Sequence, residues 1–282
     1  MLRLSVLGKT GVLGVQGNAA MLPQDRLGTT TDLARHTYSH DRFGDVMNRI
    51  QSIMTGGKGA LLQADMPDLL PFAGLTEAQR EDMMRLAKVN HVARHDAFFE
   101  EGDSAENFYV LIDGFLRVGR TTPDGDQVVM LHVVPGQMFG IASGYGSARH
   151  TMAARAITDA VALSWPSVLW DKFMQDYPGF QDVAHRAVSI RMKDLEDRVT
   201  SLATARVEQR IAEAVLRLMR EAGKETVDGI EIAFPISRQD ISEMTGTTLH
   251  SVSRCMSGWQ KRGIVRSGRC RVVICDPEAL SA

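Results

Sequence analysis

Pro178 separates two kinds of apolar periodicity, and that switch restricts the fold more than any other feature of the sequence. From His91 to Trp165 the apolar residues fall in short runs broken by Gly, Pro and Asp. The runs are FYVLIDG (Phe108 to Gly114), FLRVGR (Phe115 to Arg120), VVMLHVV (Val128 to Val134), PGQMFG (Pro135 to Gly140) and DAVALSW (Asp159 to Trp165), with TPDGD (Thr122 to Asp126) as a turn. Short strands with frequent turn signals predict a β-barrel or β-roll. After Pro178, Ala184, Val188, Met192, Leu195, Val199 and Leu202 are spaced 4, 4, 3, 4 and 3, which is helical. Charged Arg191, Lys193, Asp194, Glu196, Asp197 and Arg198 fill the gaps. A helix packed on its own domain would carry the same stripe, but the charges on its other faces favour a seam between two copies of the chain.

The flanking segments complete an α+β plan. LTEAQREDMMRLA (Leu75 to Ala87) places Leu75, Met83, Leu86 and Ala87 on one helical face, with Thr76 as N-cap. A further helix is expected over Ala205 to Ala222, with Val207, Ile211, Val215, Leu218 and Met219 inward. GIEIAFPIS (Gly229 to Ser237) reads as a strand, and IVRSGRCRVVICD (Ile264 to Asp276) as a hairpin turning at Ser267-Gly268.

Between them lies SRQDISEMTGTTLHSVSRCMSGWQKRG, Ser237 to Gly263. Ser237 is placed to cap a helix with Asp240 three residues on, and Ile241 and Met244 anchor that helix. Gly246 suits a tight turn between two helices. Thr247 or Thr248 caps a second helix, on which Leu249, Val252, Met256 and Trp259 form an apolar stripe. His250, Ser253, Arg254 and Ser257 lie off it, as base-reading residues of a recognition helix would. The planar fork of Arg254 matches the two guanine acceptors, and His250 and Ser253 would meet neighbouring base edges. Arg238, Gln239, Thr247, Thr248 and Lys261 are the expected phosphate contacts. The net charge of −2 provides no field over the whole chain, so cationic character must be local. From Thr248 to Arg271 it is: Arg254, Lys261, Arg262, Arg266, Arg269 and Arg271 occur with no acidic residue among them.

From about Asp68 to Leu280 the chain resembles the CRP/FNR family of transcription regulators, through EEGD (Glu100 to Asp103), FYVLIDG, TPDGD, PGQMFG and above all FPISRQDISEMTGTTLHSVSR (Phe234 to Arg254). The resemblance implies a cyclic-nucleotide-binding-like sensor β-roll over 64–178, a dimerisation helix over 179–203 and a winged helix-turn-helix over 204–282. It implies a homodimer on palindromic DNA, controlled by the β-roll, with RNA polymerase as a further partner. Arg254 matches the family's guanine-reading arginine, and Ser253 the serine before it in the FNR-like branch. His250 stands where a glutamate is usual, which leaves the base preference there open. The TTLHSVSR form is similar to the branch that includes nitric-oxide-responsive regulators.

In the family's cAMP-binding members, the glycine of the FG pair precedes a glutamate that holds the ribose, and an Arg-Ser or Arg-Thr pair holds the phosphate. Here Ile141 follows Gly140, and His150-Thr151 stands at the second pair. The four are the expected effector pocket, and their chemistry argues against cAMP. Oxygen-sensing relatives hold an iron–sulfur cluster on N-terminal cysteines, whereas all 3 cysteines here (Cys255, Cys270, Cys275) lie near the C-terminus. Haem stays open, with His91, His95, His132 and His150 as candidate ligands; no metal is assigned. Cys255 reads as a buried thiol, and Cys270 and Cys275 would face opposite sides of a strand, unbonded.

No apolar run approaches a membrane span of about 18 residues, and the clustered, odd cysteine count suits a cytoplasmic protein. Residues 1–63 read as a flexible extension or as the product of a start placed upstream of Met47 or Met66. No phosphate loop, catalytic triad or zinc-ligand spacing points to an enzyme. The competing reading is a small-molecule-binding module whose winged helix mediates protein contacts.

Overall fold

The computed structural model describes residue 72 and residues 75–281. The reading of residues 1–63 lies outside them.

The chain opens with helix α1 (Glu77–Leu86) and continues through strands β1 (Lys88–Val92), β2 (Ala97–Phe99), β3 (Asn107–Asp113), β4 (Leu116–Thr121), β5 (Gln127–Val133), β6 (Met138–Phe139), β7 (Ala153–Ala156) and β8 (Ala160–Pro166). These strands form two antiparallel sheets, ordered β1-β8-β3-β6 and β2-β7-β4-β5. On β3, Tyr109 and Leu111 point between the sheets, while Phe108, Val110 and Ile112 point to the other side. Along β8, Ala160 and Ala162 alternate with Val161, Leu163 and Trp165 in the same way. Both faces of β3 and β8 are buried, so these two strands lack the polar alternation of a solvated sheet, whereas the edge strand β1 is largely exposed. Between the sheets, the small Ala154, Ala156, Ala160 and Ala162 make room for Phe99, Tyr109 and Phe139.

The outer face is covered by α1, α2 (Trp170–Asp176) and the start of α3 (Pro178–Thr204). Thr76 caps α1 in a complete capping box, and Met83 and Met84 are buried on it. Leu86, expected inward, is 42% exposed, because the helix ends there and the chain turns into β1.

The second half contains α4 (Val207–Ala222), β9 (Gly223–Thr226), β10 (Gly229–Ile232), α5 (Arg238–Thr245), α6 (Leu249–Lys261), β11 (Val265–Gly268), β12 (Arg271–Ile274) and α7 (Pro277–Ser281). Its sheet runs β11-β12-β10-β9. Ile211, Val215 and Leu218 are buried on α4 and Met219 partly so, but Val207 sits in the first turn and stays exposed. The C-terminal hairpin turns at Arg269-Cys270 rather than at Ser267-Gly268, since Gly268 pairs with Arg271. Cys270 accordingly adopts a left-handed backbone, φ +56°.

The halves share a core. Val129 and Val134, on and just after β5, belong to the hydrophobic cluster of α4, α5 and α6. Phe234 packs on Phe115 and stacks on His132. Burial there drives the His132 imidazole down to about 4, with the Arg217 and Arg117 cations adding to the effect.

Candidate functional site

The helix-turn-helix is built by local chemistry. Ser237 Oγ accepts from the Asp240 amide at 3.1 Å, and the Asp240 carboxylate accepts from the Ser237 amide at 2.7 Å. Ser237→Ala removes one half of this reciprocal cap; it is expected to cost about 1 kcal/mol, read as a lower denaturant midpoint with an unchanged slope. Gly246 ends α5 with φ +60°, where other residues are strained. Thr248 then caps α6, its hydroxyl accepting from the Ser251 amide at 3.2 Å.

On α6, Val252, Cys255, Met256 and Trp259 are buried, and Trp259 Nε1 donates to Glu208 of α4 at 2.9 Å. This fixes which face of α6 points outward. Leu249, expected in the apolar stripe, is 46% exposed because it occupies the first turn, beyond the reach of the core. His250, Arg254 and Lys261 are exposed on the opposite face, with Ser253 and Ser257 half-buried beside them. Arg254 has no ion-pair or hydrogen-bond partner among the described residues. Cys255 is buried, which raises its thiol pKa, and all three cysteines are free.

The basic stretch is less uniform than its sequence. Residues from outside it bring carboxylates to three of its arginines: Arg266 pairs with Asp228 at 2.5 Å, Arg271 with Glu231 at 2.6 Å and Arg262 with Glu208 at 3.6 Å. Arg254, Lys261 and Arg269 keep their charge uncompensated by such pairs. Among the expected phosphate contacts, Arg238 is half-buried at the start of α5 and Gln239 donates to Glu243. Thr247 shares a hydrogen bond with Thr245, and Thr248 serves the cap of α6.

Helix α3 changes character along its length. Ala184 is fully buried and Val188 half-buried, both against the chain's own β-roll core, so these two of the expected seam residues do not lie on the open side of the helix. Further on, Met192, Leu195, Val199 and Leu202 are 57%, 42%, 67% and 50% exposed. The side turned toward the chain carries Arg191, Asp194, Arg198 and Ser201 instead. Met192, Val199 and Leu202 therefore stay open to solvent although they are apolar, while polar residues take the inward positions, the reverse of a helix packed on its own domain. Arg198 bridges the halves, donating to the Val129 carbonyl at 2.9 Å and to the Met244 carbonyl at 2.5 Å.

Gly140, Ile141, His150 and Thr151 come together at one cavity of about 280 Å³. Gly140 has φ +66°, and a Cβ there would meet the Tyr109 ring at 2.7 Å. His150 is buried flat against Phe99, ring centroids 3.6 Å apart, and its pKa is lowered by burial. Of the four candidate haem histidines it alone lines this cavity; His91 and His95 are exposed, and His132 is buried against Phe234. Groups of three or more His, Cys, Asp or Glu able to hold a metal do not occur among the described residues.

Sequence reasoning missed the far wall of the cavity, which consists of Arg191, Asp194, Leu195 and Arg198 of α3 with Arg217 and Glu221 of α4. Burial raises the Asp194 carboxyl and pushes Glu221 up to about 7, against the opposing pull of Arg217. The available signal was the four-residue spacing of Arg217 and Glu221 beside the buried stripe of α4.

The family model for the cyclic nucleotide-binding domain matches residues 89–177, and that for the Crp-like helix-turn-helix domain matches residues 209–282. A CRP-like cAMP-activated global transcriptional regulator of Mycobacterium tuberculosis is 24% identical over 188 residues, covering 67% of this chain and 84% of the relative. The nitrogen fixation regulation protein FixK of Bradyrhizobium diazoefficiens is 23% identical over 217 residues, covering 74% and 89%. The solved structure of FixK2 from Bradyrhizobium japonicum superposes with a TM-score of 0.61 at 24% identity, over 69% of this chain and 95% of that one.

Proposed function

Because the chain belongs to the CRP/FNR family of transcription regulators, we propose that it reads a two-fold symmetric DNA site as a homodimer, under control of its β-roll. The observation that carries this reading is Arg254, exposed and unpaired on the outer face of a helix whose other face is locked into the core. A guanidinium so presented, with His250 and Ser253 beside it, suits the edge of a guanine in the major groove. The outward apolar face of α3 is the dimer seam of this proposal, and it would set the half-sites about one helical turn apart. Arg238, Thr247, Thr248 and Lys261 serve as phosphate contacts. Gln239, tied to Glu243, contributes once that bond opens.

In this reading the chain is not an enzyme; it works in the cytoplasm and acts on RNA polymerase at promoters. An effector in the cavity shifts the population between two settings of α3 and α4 and so of the recognition helices. Cyclic AMP is not the effector we propose, since Ile141 and His150 lack the groups that would hold its ribose and phosphate.

Arg254→Ala is expected to lose about 1–3 kcal/mol on the preferred site and to relax the preference at one base pair. Lys261→Ala is expected to weaken all sequences alike and to flatten the salt dependence. Gel shifts over a substituted operator series measure both. An equal loss on every sequence for Arg254→Ala would remove it from base reading. Wild-type binding that never prefers one sequence over random DNA would favour the module whose winged helix contacts proteins.

A further inference from the structure

The cavity at Gly140 and His150 is unusual in its walls. One wall is apolar and comes from the β-roll: Phe99, Leu131, Phe139 and Met152. The opposite wall is cationic and comes from two other parts of the chain. It brings Arg191 and Arg198 from the dimer helix together with Arg217 from the first helix of the DNA-binding half. The only carboxylates on that wall are Asp194 and Glu221. Arg191 is the most exposed to this imbalance: its guanidinium is held by the Met138 carbonyl and by no carboxylate among the described residues. Burial disfavours its charge, which lowers its pKa. Arg198 likewise spends its donors on backbone carbonyls rather than on a counter-ion. Three guanidiniums thus face two acids, and burial shifts both of those acids toward their neutral form. A partly buried cation without a counter-ion is costly, and an anion entering from solution relieves that cost.

We propose that this cavity binds a small organic carboxylate, its apolar body against Phe99, Phe139 and Leu131 and its head group on Arg191 and Arg217. The inference rests on the allosteric reading above and deepens it by naming the ligand class. A volume of about 280 Å³ suits a ligand of one ring or a short chain. A head group on Arg217 touches the DNA-binding half directly, so occupancy pulls α4 toward α3. The same arginine then leaves Asp194 and Glu221, whose ionisation it had favoured.

The test uses the full chain and two matched pairs, phenylacetate with phenylacetamide and octanoate with octanamide, titrated by calorimetry. At least one carboxylate is expected to bind about tenfold or more tightly than its amide, since a charge-assisted contact is worth more than a neutral one. In Arg191→Gln that carboxylate is expected to bind no better than the amide. Amides binding as well as the acids, or no binding by either acid, overturns the proposal, and the wild-type comparison holds even if the variant fails to fold. Operator binding measured alongside separates the two readings. A carboxylate that binds without changing operator affinity supports the ligand class and sinks allosteric control. Intact operator binding with no carboxylate uptake sinks the ligand class alone.

Discussion

Val199→Asp is expected to leave the chain folded but monomeric, and to lower its affinity for a two-half-site operator about 10²–10⁴-fold. Val199 is 67% exposed on α3, between Leu195 and Leu202, and its removal takes nothing from the chain's own core. In a paired helix the same position is desolvated, and a carboxylate facing its symmetry mate there is buried and repelled. The large loss in DNA binding arises because each monomer keeps only one half-site, and the second contact is no longer intramolecular. Light scattering gives the mass, and gel shifts on full and half operators give the affinity. Ala184→Asp serves as the contrast: Ala184 is fully buried in the β-roll core, so this change is expected to unfold the β-roll rather than only part the subunits. A Val199→Asp protein that stays dimeric, or that binds the full operator as well as wild type, would sink the seam.

The second large effect is a pair of opposed pH responses. Glu221 is pushed up to about 7 from the usual 4.5, so between those values the native chain holds a proton that the unfolded chain has released. Stability from this group therefore falls as pH rises through that window, by about 3 kcal/mol in all. His132 is driven down to about 4 from 6.5, so there the unfolded chain holds the extra proton and stability rises with pH. The windows overlap, and between about 4.5 and 6.5 the two slopes cancel. Wild type is thus expected to show little dependence from these groups in that range, and each substitution unmasks the other. Glu221→Gln is expected to be more stable at pH 8 and to lose stability on acidification from 6.5 to 4. His132→Phe, which keeps a ring against Phe234, is expected to lose stability as pH rises from 4.5 to 7. Arg217, Asp194 and Arg220 act on Glu221, and Arg217, Asp240 and Arg117 on His132. Arg217 favours a lower pKa in both. Urea melts across pH 4–8 decide the matter, and a Glu221→Gln curve parallel to wild type would refute the assignment.

Much of the architecture could be read along the chain because it rests on local rules. Ser237 with Asp240, Gly246, and the stripe Val252, Met256, Trp259 each declare their role within a few residues, and the helix-turn-helix follows. Errors gather where a helical stripe meets a helix end: Leu86, Val207 and Leu249 have the right spacing but lie past the edge of the core. Strands β1, β2, β7 and β9 gave no separate signal, being short and completed by pairing with distant partners. The exposed face of α6 was legible, whereas the partners of the neighbouring arginines were not. Asp228 and Glu231 reach Arg266 and Arg271 from about forty residues earlier, through the β9–β10 hairpin. For the cavity, Gly140, Ile141, His150 and Thr151 could be picked out by their departure from a pattern. Its cationic wall is assembled from two helices, α3 and α4, that only the tertiary fold brings against the β-roll.

Arg198 grips three backbone oxygens, those of Val129 and Met130 in one half of the chain and that of Met244 in the other. Every amino acid carries that oxygen, so no replacement at positions 129, 130 or 244 can delete the receptor. This polar clasp is therefore written in a single codon. Genetic drift can rework the surrounding apolar contact without undoing this clasp, while one change at 198 removes it.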